Sequence, residues 1–219
     1  MSIQQANIPA RILTESSATI SDKGLLRGSI GLAIFALLGL GLLYPLTGVG
    51  LGQILFPNTA NGSLIKHDGN IRGSSLVAQP FVDVRYFQPR PSAANYDPMV
   101  LTGSNLARTN PDLRQRIDKT SIAIARRNGI HSAAVPGDLI TQSGSGIDPH
   151  ISPQAAAIQI DRVAHARGVT REAVENLVAQ YTEEKQFGVL GQPRVNVLKL
   201  NLALDAAVSP GTEAATTGQ

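Results

Sequence analysis

The chain has 219 residues, 42% of them hydrophobic and only 16% charged, a mixture that excludes both a long disordered tail and a multi-pass membrane protein. Its net charge of +3 gives no footprint for nucleic acid, and the absence of cysteine removes disulfides, thiolate metal sites and cysteine nucleophiles together. The length leaves room for one ordinary domain with an appendage.

Residues 1–24 are polar and lack periodicity, which predicts a flexible cytoplasmic tail. Between Arg27 and Lys66 no residue is charged. The run 25–46 would extend about 33 Å as a helix, close to the hydrocarbon thickness of a bilayer. It exceeds the apolar core of a signal peptide and no Ala-x-Ala-like site follows it, so an uncleaved transmembrane anchor is expected rather than a cleaved leader. A buried soluble helix would have to be apolar all round. Arg11, Lys23 and Arg27 precede the span and the next basic residue is Lys66, so the positive-inside rule sets the N-terminus in the cytoplasm and the bulk of the chain outside, in the periplasm or its equivalent. Ser29, Ala33 and Ala36 share one helix face, where small side chains permit a partner helix to approach; Gly and Ala are also simply frequent in membrane helices. Tyr44 and Pro45 are expected to mark the outer boundary. The membrane-proximal segment 47–62 carries Leu51, Ile54, Leu55 and Phe56, suited either to the membrane surface or to a partner.

Residues 63–205 alternate strand-like pieces with helices and predict one mixed α/β extracytoplasmic domain, followed by a C-terminal tail over 206–219. Asn110-Pro111 opens a helix that carries Leu113, Ile117 and Ile124 on one face and stops at Asn128-Gly129. Its basic residues Arg114, Arg116, Lys119, Arg126 and Arg127 alternate with Asp112 and Asp118, as on a solvated face. Ser152-Pro153 opens a second helix that ends at Gly168. Thr170 caps a third, with Val174, Leu177, Val178 and Tyr181 on its buried side. Strands are expected at 195–200, 73–77, 82–87 and 138–141.

Neither a GxxxxGK[ST] nor a GxGxxG loop occurs, so nucleotide binding has no motif of its own. The cluster Ser143-Gly144-Ser145-Gly146-Ile147-Asp148-Pro149-His150 brings Ser, Asp and His together but lacks the glycine spacing of a nucleophile elbow; it reads as a turn ahead of Ser152-Pro153 or as a partner-contacting surface. Ser63-Leu64-Ile65-Lys66 matches Ser-x-x-Lys without the motifs that accompany it in penicillin-binding enzymes. His67, His131, His150 and His165 have no ligand spacing, so no metal site is expected. More particular are the Gly/Pro-punctuated strings Tyr86–Ala93, Tyr96-Asp97-Pro98, Gly103-Ser104-Asn105-Leu106 and Gly191-Gln192-Pro193. In the first, Arg90 between prolines presents its guanidinium from a stiff backbone. Tight turns explain these strings as well as recognition does.

Taken with Ala60–Ile65, Pro153–Ala156, Gln159-Ile160, Arg162–Ala164, Val195-Asn196 and Leu200–Asp205, these strings resemble the C-subunit family of the Kdp potassium-transporting ATPase, from about Leu25 to Asp205. The resemblance implies a non-catalytic accessory subunit in the bacterial plasma membrane. Its implied partners are a channel-like potassium-binding subunit, a P-type ATP-hydrolysing subunit and a small single-span subunit. It further implies a catalytic-chaperone role that raises the pump's affinity for ATP, the one cofactor in view, reached through the pump subunit. A domain outside the cell sits uneasily with direct ATP contact, which makes assembly and capping of the potassium entrance the easier role. Candidate partner contacts are Ser29, Ala33, Ala36, Arg90, Ser104, Asn105, Ser143, Ser145 and Asp148. The rival reading from the residues alone is a membrane-anchored periplasmic enzyme using the Ser143–His150 loop.

Overall fold

The computed structural model describes residues 24–67 and 69–208. The tails expected over 1–24 and 206–219 lie outside the described residues apart from 24 and 206–208. The chain divides into two compact units, with the boundary between Phe56 and Pro57.

The described part of the first unit holds one continuous apolar helix, α1, Leu25–Leu55, whose most apolar stretch has no buried residue. Pro45 was expected to close the span, yet the helix runs ten residues further. Proline removes an amide donor and crowds the carbonyl four residues back. A membrane helix absorbs this through local π turns and hydroxyl side chains, and both are present. Leu37–Leu43 is π-helical, with the Tyr44 amide donating to the Gly39 carbonyl, and Thr47 Oγ1 donates to the Leu43 carbonyl at 2.8 Å.

The second unit opens with a short helix, α2, Pro57–Ala60. A hairpin of β1, Leu64–His67, and β2, Asn70–Ser74, follows, with a register shift between Ile65 and Lys66. Residues 75–110 hold no regular strand or helix; the expected strand at 82–87 is a run of turns, although Phe87 is fully buried. Helix α3, Pro111–Asn128, forms as its end signals require: Asn110 Oδ1 accepts from the Asp112 amide, and Gly129 closes it at φ 66°. The expected strand at 138–141 is instead the single helical turn α4, Gly137–Ile140, with Thr141 Oγ1 donating to the Gly137 carbonyl.

The remaining elements alternate as a mixed domain should. Strand β3, His150–Ile151, leads into α5, Pro153–Ala157, and α6, Ile160–Arg167. Then come α7, Arg171–Gln180; β4, Thr182–Glu183; β5, Arg194–Asn196; and α8, Val197–Val208. Strands β3 and β4 flank β5, both antiparallel to it. The expected strand at 195–200 stops after Asn196, because Asn196 Oδ1 accepts from the Lys199 amide and starts a helix. Val197, Leu200 and Leu204 then fall on one buried helical face.

The core gathers Phe87, Ile151, Val163, Val174, Val195, Leu200 and Leu204. Irregular backbone can enter a core only if its amides and carbonyls find partners, and two buried side-chain amides supply them. Asn201 accepts from the Phe87 amide and donates to its carbonyl, each at 2.9 Å. Gln159 does the same for Gln88, at 2.9 and 3.2 Å, and also donates to Ala155. That last bond sits at the break between α5 and α6, where one continuous helix was expected. Arg162 adds bonds to the Val84 and Tyr86 carbonyls, Gln159 and Asn128. Burial, with Arg127 nearby, pulls its guanidinium down to about 10, still charged at neutral pH.

Asn201→Leu preserves volume but leaves the Phe87 amide and carbonyl unpaired, at about 1–3 kcal/mol each. Denaturant unfolding of the full chain in detergent is expected to show a loss of at least about 2 kcal/mol.

Candidate functional site

Three of the strings singled out in the sequence fold onto one another. The Ser143 amide donates to the Pro91 carbonyl at 3.1 Å, and Ser92 Oγ donates to the Gly146 carbonyl at 2.6 Å. The same Ser92 hydroxyl accepts from the amides of Ala94 and Tyr96. The Tyr96 hydroxyl returns to the Arg90 carbonyl at 2.9 Å. Ser143 Oγ is the matching hub of the second loop, accepting from the Gly146 and Asp148 amides and pairing with Ser145 Oγ at 3.2 Å. Two glycines permit the close approach: a Cβ on Gly103 would lie 3.0 Å from the Gly144 carbonyl oxygen, and one on Gly146, at φ +78°, would lie 2.8 Å from both Ala94 Cβ and the Thr102 carbonyl oxygen.

Arg90 and Asp148, separated by 58 positions, lock the two loops through a 2.9 Å ion pair. Asp148 also accepts from the His150 amide at 3.0 Å, and its carboxylate lies 3.4 Å from His150 Nδ1. Partial burial raises the Asp148 pKa, but the hydrogen bonds from His150 and Arg90 outweigh it and hold the carboxyl below its ordinary value. Beside this pair opens a groove of about 460 Å³, lined by Arg90, Asp138, Asp148, His150, Gln192 and Arg194 among others. Gly191-Gln192-Pro193 thereby joins the same neighbourhood. The rival enzymatic reading needs a serine hydroxyl bonded to a histidine. Here His150 faces Asp148, while Ser145 Oγ is engaged by Ser143 and the Ile147 amide. The serines close the loop on itself. Among the described residues no group of three or more His, Asp or Glu is arranged to hold a metal ion.

Of the remaining candidates, Ser104 is half-buried beside Gly103, whereas Asn105 is exposed at φ 50°. Ser29 and Ala33 are exposed on α1 and Ala36 is half-buried. On the opposite side of that helix, Gly31, Ile34, Phe35, Leu38 and Gly39 line an apolar groove of about 590 Å³. The sequence carried a signal for this second face, two glycines flanking Phe35. Ser92, the hub of the first loop, carries no local pattern that distinguishes it from any other serine near proline.

A family model described as K+-transporting ATPase, c chain (KdpC), matches residues 26–206. The chain is 56% identical over 200 residues to the potassium-transporting ATPase KdpC subunit of Xanthomonas campestris pv. campestris (strain B100), covering 90% of this chain and 96% of the relative. It is 58% identical over 192 residues to the subunit of that name from Xanthomonas oryzae pv. oryzae (strain MAFF 311018), covering 88% and 92%. The corresponding protein of Caldanaerobacter subterraneus subsp. tengcongensis is 46% identical over 166 residues, covering 75% and 86%.

The packed loops generate three expectations. Gly146→Ala is expected to lower stability by about 1–3 kcal/mol, because a side chain there meets both a strained φ and filled space. Gly144→Ala, with nothing within 4 Å of the added atom, is expected to stay within about 0.5 kcal/mol of the parent. Because the folded-state pKa of Asp148 is depressed, its contribution is present above the ordinary value of 3.8 and is lost as pH falls through the lower folded value. Thermal unfolding of Asp148→Asn is therefore expected to be less acid-sensitive below about pH 4 than that of the parent.

Proposed function

Because the chain belongs to the KdpC family of potassium-transporting ATPase subunits, we propose that it is the membrane-anchored accessory subunit of a P-type potassium pump. The observation that carries this reading is the family match over residues 26–206, which takes in both the apolar helix and the stapled loops of the second unit. Its partners in this reading are a channel-like potassium-binding subunit, the ATP-hydrolysing subunit and a small single-span subunit. It contributes assembly, stability and cover at the potassium entrance rather than chemistry of its own.

The orientation proposed is N-terminus in the cytoplasm and domain outside. It is supported by the charge asymmetry, with Arg11, Lys23 and Arg27 before the helix and Lys66 as the next basic residue. A role in raising the pump's ATP affinity then acts at a distance. Coupling of about 1–3 kcal/mol through the assembled complex is enough to change an affinity between five- and 150-fold, with no contact between this chain and the nucleotide.

Two measurements test this. With no native cysteine, Met99→Cys introduces a single thiol at a residue that is 88% exposed. A membrane-impermeant maleimide is expected to label it in intact spheroplasts; labelling only after lysis reverses the orientation. In calorimetric titration of the full chain in detergent, at about 150 mM salt, ATP is expected to bind no more tightly than about 1 mM, or about −4 kcal/mol. Saturable one-to-one binding at micromolar ATP supports a direct ternary complex instead.

A further inference from the structure

A groove of about 350 Å³ opens between α3 and the proline-rich string that precedes it, and neither Arg90 nor Asp148 lines it. Its volume is that of a small-molecule site. The string contributes Gln88, Pro89, Pro91 and Tyr96; the helix contributes Lys119, Thr120, Ile124 and Arg127, whose spacing puts them on one face. The string side is held in place before any ligand arrives. Gln159 bonds both the amide and the carbonyl of Gln88, and the Tyr96 hydroxyl donates to the Arg90 carbonyl.

The charge around this groove is of one sign. Among the described residues no carboxylate lines it, and no ion pair engages Lys119, Arg127 or Arg116. Arg116, one turn before Thr120, has its Nε buried without an acceptor. Arg162, bonded to Asn128 at the end of α3, takes only neutral acceptors, and Arg127 is close enough to weaken its hold on its proton. Partly buried cations without a counter-charge are costly. A helix dipole favours cations in the last turn, which accounts for Arg127 but not for Lys119 two turns earlier or for the buried Arg116 Nε.

The walls define what kind of anion fits. Pro89, Pro91, Tyr96 and Ile124 offer apolar surface beside the charges. Lys119 and Arg127 stand about 12 Å apart along the helix axis, a gap that two long side chains close around a group between them. A carboxylate is saturated by a single guanidinium fork; a phosphate has oxygens for Arg127, Lys119 and the Thr120 hydroxyl together. We infer that this groove binds a phosphate ester with an apolar carbon body, the phosphate between Lys119 and Arg127 and the body against Pro91, Tyr96 and Ile124. A phospholipid and a soluble phosphate ester share that chemistry. The inference goes beyond the pump-subunit reading and does not depend on it.

The test titrates the full chain in nonionic detergent with phenyl phosphate in a calorimeter. Saturable one-to-one binding is expected, about tenfold tighter than that of inorganic phosphate because the ring is buried against the apolar wall. The double variant Lys119→Ala with Arg127→Ala is expected to weaken it by at least about tenfold. The control pair Arg114→Ala with Arg126→Ala removes the same charge from exposed positions outside the groove and is expected to leave binding unchanged. Native mass spectrometry of the chain in detergent with equal phosphatidylglycerol and phosphatidylcholine then separates the sources. One phosphatidylglycerol retained by the parent and lost from the Lys119/Arg127 variant assigns the site to lipid; phenyl phosphate binding without it assigns the site to a soluble ester. Absence of one-to-one binding of phenyl phosphate, equal affinity for inorganic phosphate, or equal weakening in the two double variants overturns the inference.

Discussion

Hydrocarbon offers no partner to an open peptide group, and each one left open there costs several kcal/mol. The first unit follows from that constraint. The charge-free part of α1 that follows Arg27 enters lipid only as a helix, and Pro45, which would end a helix in water, is accommodated because the chain has no better alternative inside the bilayer. The π turns at Leu37–Leu43 lie just before the proline, and the Thr47 hydroxyl bonds the Leu43 carbonyl just after it. Continuity to Leu55 is the result, and Pro57, the first residue of the domain, follows two residues after the helix ends.

The same demand for satisfied peptide groups organises the second unit by other means. Its sheet is small, and a long stretch without helix or strand reaches into the core at Phe87. Asn201, Gln159 and Arg162 take the place of a neighbouring strand for this stretch, reading its amides and carbonyls from positions far away in sequence. Asn196 performs a related task with the Ser75 carbonyl at 2.8 Å. Farther along, Ser92 and Ser143 tie the Arg90 loop to the Asp148 loop. Buried polar networks of this kind hold one arrangement when every member is satisfied and are costly when a member is missing. The polar strings that carry the family resemblance are therefore largely internal staples, with Arg90, Asp148, His150 and Gln192 bordering the groove they leave open.

Features governed by neighbours in sequence were legible before the fold was seen. The apolar span, the helix between Asn110 and Gly129, and the caps at Ser152, Thr170 and Gly168 all follow from rules that act within one or two turns, and each is present. Features governed by distant partners were not. Gln159, at the break between α5 and α6, meets Gln88, 71 positions away. The β-branched run after Arg194 resembles a strand until Asn196 caps a helix instead. Pairing of Arg90 with Asp148 has no periodic signature, and the segments holding Arg90, Ser143 and Asp148 were grouped only through resemblance to a family. Resemblance placed the chain in a pump; its physical pattern alone would have left a membrane-anchored α/β domain.

The central claim is that this chain is an integral part of a working potassium pump. The most direct measurement is purification from native membranes through a tag on this chain, followed by potassium-dependent ATP hydrolysis across the size-exclusion profile. The expected result is a single peak in which the ATP-hydrolysing and potassium-binding subunits accompany the tagged chain in constant ratio and ATP hydrolysis responds to potassium. A tagged chain that elutes alone, or only with copies of itself, and hydrolyses no ATP would contradict it.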